Sequence, residues 1–416
     1  MKKIRNPIID LFAGCGGLSL GLEQAGFTPV YVNEINNDAL NTYKNNRSHL
    51  SYLKNKEFFS NDIYELTKNN NLNKLKNNLQ KEFGIKSGEI SLVVGGPPCQ
   101  GYSGIGHRRN YSVDKKELPS NFLYKEMVKV IKFFKPKGFI FENVRGILTS
   151  KWTKKGRKGE IFKDVLKEFS TLKDYFQDYK LVQCKNYGVP QNRPRVILIG
   201  IRKDIKFKPD ESKPCSGLLP KEAKDYPNPE ELLGDLIDNN YTKRYVTEEY
   251  LTEPKNYFQK KLRSLTNGKF LKKGDPLTEQ EYSKHSDKIV KKFELMLKNG
   301  GKIPIKYKTK KFSQRVIPKK WNGKGPNITA TSLPDDYVHF SQPRSLTVRE
   351  WARLQMFPDH YKFYGKRTTG GIRRAGNPRI GIFDREVPKY TQIGNAVPVE
   401  LAKRIGENLL KVIQDF

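Results

Sequence analysis

Acid is scarce in this chain: 44 aspartates and glutamates stand against 78 lysines and arginines in 416 residues, a formal net charge of +34. Such an excess keeps a folded chain soluble chiefly while drawing polyanions to it, nucleic acid first among them. Part of it lies in biased runs such as Lys68-Asn69-Asn70-Asn71, but basic residues also cluster elsewhere. Cysteine is sparse too. Cys15, Cys99, Cys184 and Cys215 lie far apart without a CxxC pair, and the five histidines show no ligand spacing, which argues against zinc or any other metal. Long apolar runs are missing: the basic start Met1-Lys2-Lys3-Ile4-Arg5-Asn6-Pro7 leads into a stretch broken by Asp10 and glycines. Neither a signal peptide nor a membrane span fits, so a reducing cytoplasm is expected.

What is present suffices for a core, since 36% of the residues are hydrophobic, and the length suggests two or perhaps three domains. Over the first 200 residues short apolar runs at 8–12, 30–32, 92–94 and 139–141 read as strands, and 180–184 and 196–201 supply two more. Helical patterns lie between them, the clearest over 121–134, where Leu123, Met127, Val130, Ile131 and Phe134 share one face. This alternation predicts an α/β fold with a mainly parallel sheet and ligands at the carboxyl ends of its strands. From 202 to about 340 a lysine-rich, proline-punctuated stretch reads as a second domain. Helical periodicity returns at Leu346, where Thr347 and Glu350 make a capping box and Leu346 can staple onto Trp351, and a last helix is expected from Pro398 to about Leu410.

The most specific segment is Gly95-Gly96-Pro97-Pro98-Cys99-Gln100-Gly101-Tyr102-Ser103. Two glycines turn the chain at a strand end and two prolines stiffen the approach to Cys99. A thiol mounted this way suits a nucleophile; a buried structural cysteine is the common alternative. A second turn, Ala13-Gly14-Cys15-Gly16-Gly17, joins a strand to an apolar helical face, and Glu34 follows Gly14 by about twenty residues, where doubly wound folds place a ribose-binding acid. The spacing departs from GxGxxG. It favours a nucleoside ligand lacking pyrophosphate, such as S-adenosylmethionine, over a dinucleotide, with a plain tight turn as the other reading. Asp62, at an expected strand end, suits an adenine amino group, with a turn cap nearly as good a reading. Glu142 ends a strand on the edge that carries Cys99, as a reactive acid or as an ion-paired or capping one. In Gln191-Asn192-Arg193-Pro194-Arg195, Pro194 biases Arg193 to extended backbone, so both guanidiniums are expected on one side, facing anionic or carbonyl oxygens. A solvated basic loop is the alternative.

Assembled in order, residues 10–26, 33–34, 61–62, 95–103, 142–144, 191–195, 344–359 and Gly394-Asn395-Ala396-Val397-Pro398 resemble the DNA (cytosine-5) methyltransferases of bacterial restriction-modification systems. The resemblance spans both ends of the chain but not 202–340, where that family carries its variable target-recognition region, and the basic segment 366–379 is longer than the family pattern. It implies a doubly wound, mainly parallel sheet of the S-adenosylmethionine-dependent methyltransferase type, with a second, smaller target-recognition domain. The implied division is 1–200 catalytic and cofactor-binding, 201–340 target-recognition, 341–393 hinge and basic loop, and 394–416 a helix returning to the catalytic domain. S-adenosylmethionine is then expected against Phe12, Ala13, Gly14, Gly16, Gly17, Glu34, Asp62, Ile63, Pro97 and Asn395, with Phe12 on the adenine face, Glu34 on the ribose and Asp62 at the adenine amino group.

The resemblance also implies catalysis by Cys99, Glu142, Arg195 and Arg193. Cys99 would add to C6 of a cytosine flipped out of the duplex, Glu142 would meet N3, Arg195 the ring carbonyl, and C5 would take the methyl group. Duplex DNA is the expected partner, touched by Gln100, Ser103, Arg193, Arg195, Arg373 and Arg374, and a cognate restriction endonuclease is a further expected partner of a monomeric chain. The segment from Gln100 to Arg109 reads as a loop closing over the flipped base or as a solvated loop, and Lys366 to Arg374 as a phosphate clamp or a solvated face. Competing readings are a tRNA cytosine-5 methyltransferase, against which the long middle region and overall basicity speak, and a non-catalytic DNA-binding module, against which Cys99, Glu142 and Arg195 speak. A Rossmann-type oxidoreductase would expect a dinucleotide fingerprint that is missing.

Overall fold

Seven strands form one sheet in the order β3-β2-β1-β4-β5-β7-β6: β1 (Pro7–Leu11), β2 (Thr28–Asn33), β3 (Phe59–Ser60), β4 (Leu92–Gly95), β5 (Gly138–Val144), β6 (Tyr175–Gln183) and β7 (Pro194–Arg202). The computed structural model describes residues 4–98, 116, 118–223, 225–308, 314–321, 323, 325–329, 336–370, 373 and 386–414. The first five strands pair in parallel, whereas β7 runs antiparallel to both β5 and β6. All of β1 and β4 is buried: β4 reads as a continuous apolar run, and β1 as one broken by the buried Asp10.

Successive strand residues serve opposite faces. Ile9, Leu11, Val93, Phe139 and Phe141 join one cluster with Met127, Val130 and Ile131 of the helix Tyr124–Phe134. Ile8, Leu92, Val94 and Ile140 join another with Leu18 and Leu22 of the helix Gly17–Gln24 and Leu401, Ile405 and Leu409 of the C-terminal helix Val399–Gln414. The helix expected from residue 121 begins at Tyr124, behind a 3-10 turn at Pro119–Phe122, and the C-terminal helix runs to Gln414 rather than Leu410. β6 starts five residues before its expected onset at Lys180, because an edge strand with mixed exposure carries little apolar signal. The two-residue β3 is too short to show an apolar run, and only its end, just before Asn61-Asp62, is marked in the sequence.

A third cluster gathers Leu232, Leu262, Ile328, Tyr337, Trp351, Phe357, Tyr361, Tyr390 and Ile393, and includes Cys15 of the glycine turn. Ile205, Cys215, Leu218 and Leu219 pack with the sheet, while residues of 346–363 and 390–399 pack with Leu232, Leu262 and Ile328. The capping box at Thr347 and Glu350 is present and opens the helix Val348–Leu354. Behind it lies a buried ionic network: Arg353 pairs with Asp235 and Asp359, Arg263 with Asp235, and Arg344 with Glu350.

Candidate active site

The carboxyl ends of the parallel strands share one edge, and the reversed β7 brings its first residues to the same edge. The strand order turns back between β1 and β4, which is where such sheets open a crevice. At that point Phe12 leaves β1 with φ +56°. A Cβ on Gly95 would come within 2.8 Å of the Leu11 carbonyl oxygen and 3.3 Å of the Phe12 ring, so glycine lets the two strand ends close up.

The glycine turn is tied to β2. The Gly14 amide donates to Glu34 Oε2 at 2.8 Å, and Glu34 Oε1 accepts from the Asn36 amide at 2.8 Å. Burial pushes the Glu34 carboxyl up, against the pull of these two amides. A Cβ on Gly14 would meet nothing within 4 Å, so the turn faces open space there. A carboxylate fixed by two amides beside an open glycine turn and a half-buried aromatic ring fits a nucleoside. Asn33 ties the neighbouring strand ends together by donating to Ser60 Oγ at 2.9 Å and to the Asn61 carbonyl at 3.2 Å. Asp62 Oδ1 accepts from the Tyr64 amide at 2.8 Å, so the capping reading holds for that oxygen, and Ile63 is buried beside it.

On the other side of the crevice, Glu142 and Arg195 come together. Arg195 Nε lies 2.7 Å from Glu142 Oε1, both side chains are nearly enclosed, and they occupy diagonal positions of the β5–β7 pair. The carboxylate also presses on the turn that leads to Cys99: a Cβ on Gly96 would sit 2.8 Å from Glu142 Oε2. Asn143 Nδ2 donates to the carbonyl of the buried Pro97 at 3.2 Å, fixing that turn to β5. Cys99 itself, with Gln100, Ser103 and the rest of the loop to Arg109, lies outside the described residues. The remaining thiols are poor nucleophiles. Cys15, Cys184 and Cys215 are all buried, and burial pushes Cys15 up to about 12, Cys184 up to about 11, and Cys215 higher still.

The model of the C-5 cytosine-specific DNA methylases matches residues 7–411. The chain belongs to that family. It is 30% identical to the Type II methyltransferase M.DdeI of Desulfomicrobium norvegicum, over 97% of this chain and 88% of that one. It is 29% identical to M.XorII of Xanthomonas oryzae pv. oryzae, over 98% and 85%. Among solved structures it resembles an E. coli prophage protein described as a candidate DNA modification methyltransferase, with TM-score 0.67, 22% identity, and coverage of 99% of this chain and 100% of that one. The Entamoeba histolytica methyltransferase EhMeth gives TM-score 0.52 at 14% identity, covering 99% of each chain. At those identities the two structures speak to the fold alone. This cytosine-5 DNA methylase is thus an enzyme of the restriction-modification kind, built on the expected mainly parallel sheet.

One expected active-site residue of the methylase is engaged elsewhere. Arg193 does not stand beside Arg195 to face a substrate. It is fully buried, and its guanidinium donates to the carbonyls of Ile328, of Gly394 at 2.8 Å and of Ala396 at 2.9 Å. It is a latch between three segments, one of which carries Asn395. That residue is exposed at the end of the helix Lys389–Asn395, while Gln355 donates to the carbonyl of the preceding Ile393 at 2.8 Å. Arg373 is exposed, as a phosphate contact requires, and Arg374 lies outside the described residues. Glu386 accepts from Lys366 at 2.8 Å and from Thr369, so part of this basic stretch is neutralised internally. Among the described residues no cluster of three or more His, Cys, Asp or Glu has metal-holding geometry, and no helix is long and apolar enough to cross a membrane.

Sequence reasoning missed the groups that hold these loops from within: Arg47, Tyr361, Gln355 and Gln392. Arginine and glutamine side chains are usually solvated, so nothing in their spacing marks them as buried.

Proposed function

We propose that this methylase forms a transient bond between the Cys99 sulfur and C6 of a cytosine flipped out of duplex DNA. The observation that supports this reading is the enclosed Glu142–Arg195 pair, set against Gly96 at the root of the turn that leads to Cys99. Aromatic C5 is a weak nucleophile, and thiolate addition at C6 makes it enamine-like. Electron density then moves toward N3 and the adjacent carbonyl oxygen, where Glu142 holds the N3 edge and Arg195 the oxygen. Arg195 orients the Glu142 carboxyl and also supplies positive charge where the ring becomes anionic. S-adenosylmethionine, when bound, supplies an electrophilic methyl group on sulfur. Glu34 would hold its ribose, Phe12 its adenine face and Asp62 the adenine amino group, with Ala13, Gly14, Gly16, Gly17, Ile63, Pro97 and Asn395 completing the pocket. Loss of the C5 proton and departure of the Cys99 sulfur restore the aromatic ring.

Residues of the second lobe read the DNA sequence, and Gln100, Ser103 and Arg373 with Arg374 contact the duplex. The Type II relatives suggest a cognate endonuclease that cuts the same site when unmethylated. Duplex DNA carrying 5-fluorocytosine at the target position tests the reading, because fluorine blocks loss of the C5 substituent. The active wild-type chain is expected to form a covalent adduct stable to denaturation, and Cys99→Ser to form none while still binding DNA. Absence of an adduct from active enzyme removes the covalent step.

A further inference from the structure

The glycine turn is held from behind by two side chains that no motif marks. Tyr361 Oη donates to the Cys15 carbonyl at 2.5 Å, and Arg47 Nη2 donates to the Gly16 carbonyl at 3.3 Å. The two braces also touch each other, since Arg47 Nη1 donates to Tyr361 Oη at 3.1 Å. Arg47 is itself fixed on every side: Nε donates to Glu23 Oε1 at 2.7 Å, Nη1 to the Tyr43 carbonyl at 3.0 Å, and the guanidinium lies 3.8 Å over the Tyr43 ring. Gly16, at φ +87°, packs so tightly on this assembly that a Cβ would lie 2.8 Å from both Arg47 Nη1 and Tyr43 Cδ2. A third tether, from Cys15 Sγ to the Gln392 carbonyl at 3.4 Å, joins the turn to the helix that ends in Asn395.

We propose that Tyr361 and Arg47 are positioning residues for the methyl donor: by drawing the carbonyls of Cys15 and Gly16 inward, they hold the glycine turn open toward the ligand. The argument rests on the reading of this crevice as the S-adenosylmethionine site. With the Cys15 carbonyl held by Tyr361, the Gly16 carbonyl held by Arg47 and by the Leu20 amide at 2.9 Å, and the Gly16 amide closed onto the Ala13 carbonyl at 2.9 Å, the peptide planes of the turn have one orientation. Tyr361 comes from the second lobe, where Arg349 Nη2 donates to its carbonyl at 2.9 Å. The cofactor turn is therefore shaped by a residue more than three hundred positions downstream, across the junction between the lobes.

The test compares two buried tyrosines, one whose hydroxyl holds the turn and one whose hydroxyl does not. Tyr361→Phe removes the hydroxyl that holds Cys15, while Tyr250→Phe removes a buried hydroxyl that donates to Asp359 at 2.7 Å, in the same lobe but away from the turn. Binding of the product S-adenosylhomocysteine is measured by titration calorimetry on the full chain, alongside the thermal midpoint of each variant. We expect Tyr361→Phe to weaken product binding about three- to tenfold, the range of one net hydrogen bond, and Tyr250→Phe to bind as wild type even if it melts earlier. Unchanged binding by Tyr361→Phe, or equal weakening by both variants in step with their loss of stability, overturns the brace. A wild-type chain that binds no S-adenosylhomocysteine overturns the methyl-donor reading, and the brace with it.

Discussion

At the scale of single residues, Gly96 carries more of the chemistry than its size suggests. Its missing side chain is the space into which Glu142 Oε2 reaches, so Gly96→Ala must move either the carboxylate or the turn leading to Cys99. Steady-state kinetics are expected to show kcat reduced about tenfold or more, in line with the loss of a well-placed polar group, with DNA affinity nearly unchanged. A variant as fast as wild type would show that the contact is incidental. Asp10 offers a titration test. It is buried at the end of β1, accepts from Ser19 Oγ, and burial lifts its carboxyl to about 8 against the pull of Arg47. Its folded value lies above its unfolded one, so its contribution to stability is full below about pH 4 and is lost as the pH rises toward 8, by at most ~1.4 kcal/mol per pH unit. Urea denaturation between pH 5 and 8 should show a flatter decline for Asp10→Asn than for wild type. The strand-end acids Glu34 and Glu142 were legible because a charge after a buried apolar run needs a reason. The latch made by Arg193 and the brace made by Arg47 were not, because Arg193 grips carbonyls, which every residue has, and the acid that pairs with Arg47, Glu23, lies far from it in sequence.

At the scale of elements, the helix Gly17–Gln24 and the C-terminal helix Val399–Gln414 approach so closely that glycine is required on the first. A Cβ on Gly21 would lie 2.4 Å from the Val399 carbonyl oxygen and 2.5 Å from the Ala402 Cβ. Gly21→Ala therefore forces two backbones apart and is expected to lower stability by ~1–3 kcal/mol or more, read from denaturant melts, despite alanine's higher helix propensity. A stabilised variant would contradict the packing described. The sequence displayed the strands through their buried runs and the Val348–Leu354 helix through its capping box. It did not display the direction of β7, since an apolar run reads the same either way. That reversal matters to the site, because it is what carries Arg195 to the edge where Glu142 lies, two residues before the end of β5.

At the scale of the molecule, a net charge of +34 predicts DNA binding that weakens steeply with salt. The exposed Arg373 is a discrete part of that field, and Arg373→Gln should lower the slope of log affinity against log salt by about 0.9 if it meets one phosphate. An unchanged slope assigns it to solvent. The membership of the cores was only partly legible, because they are assembled from distant segments: residues of 205–219 return to the sheet, and residues of 346–363 join others near 232 and 262. The seam between lobes has its own logic. Asn192 binds the carbonyls of Gly323 and Pro326, Arg193 that of Ile328, and Gln191 Oε1 the Ile328 amide. Every one of these contacts grips main chain. These grips depend on the path of the peptide, so the exposed side chains of this stretch should be exchangeable wherever the course of 323–328 and the buried Ile328 are preserved.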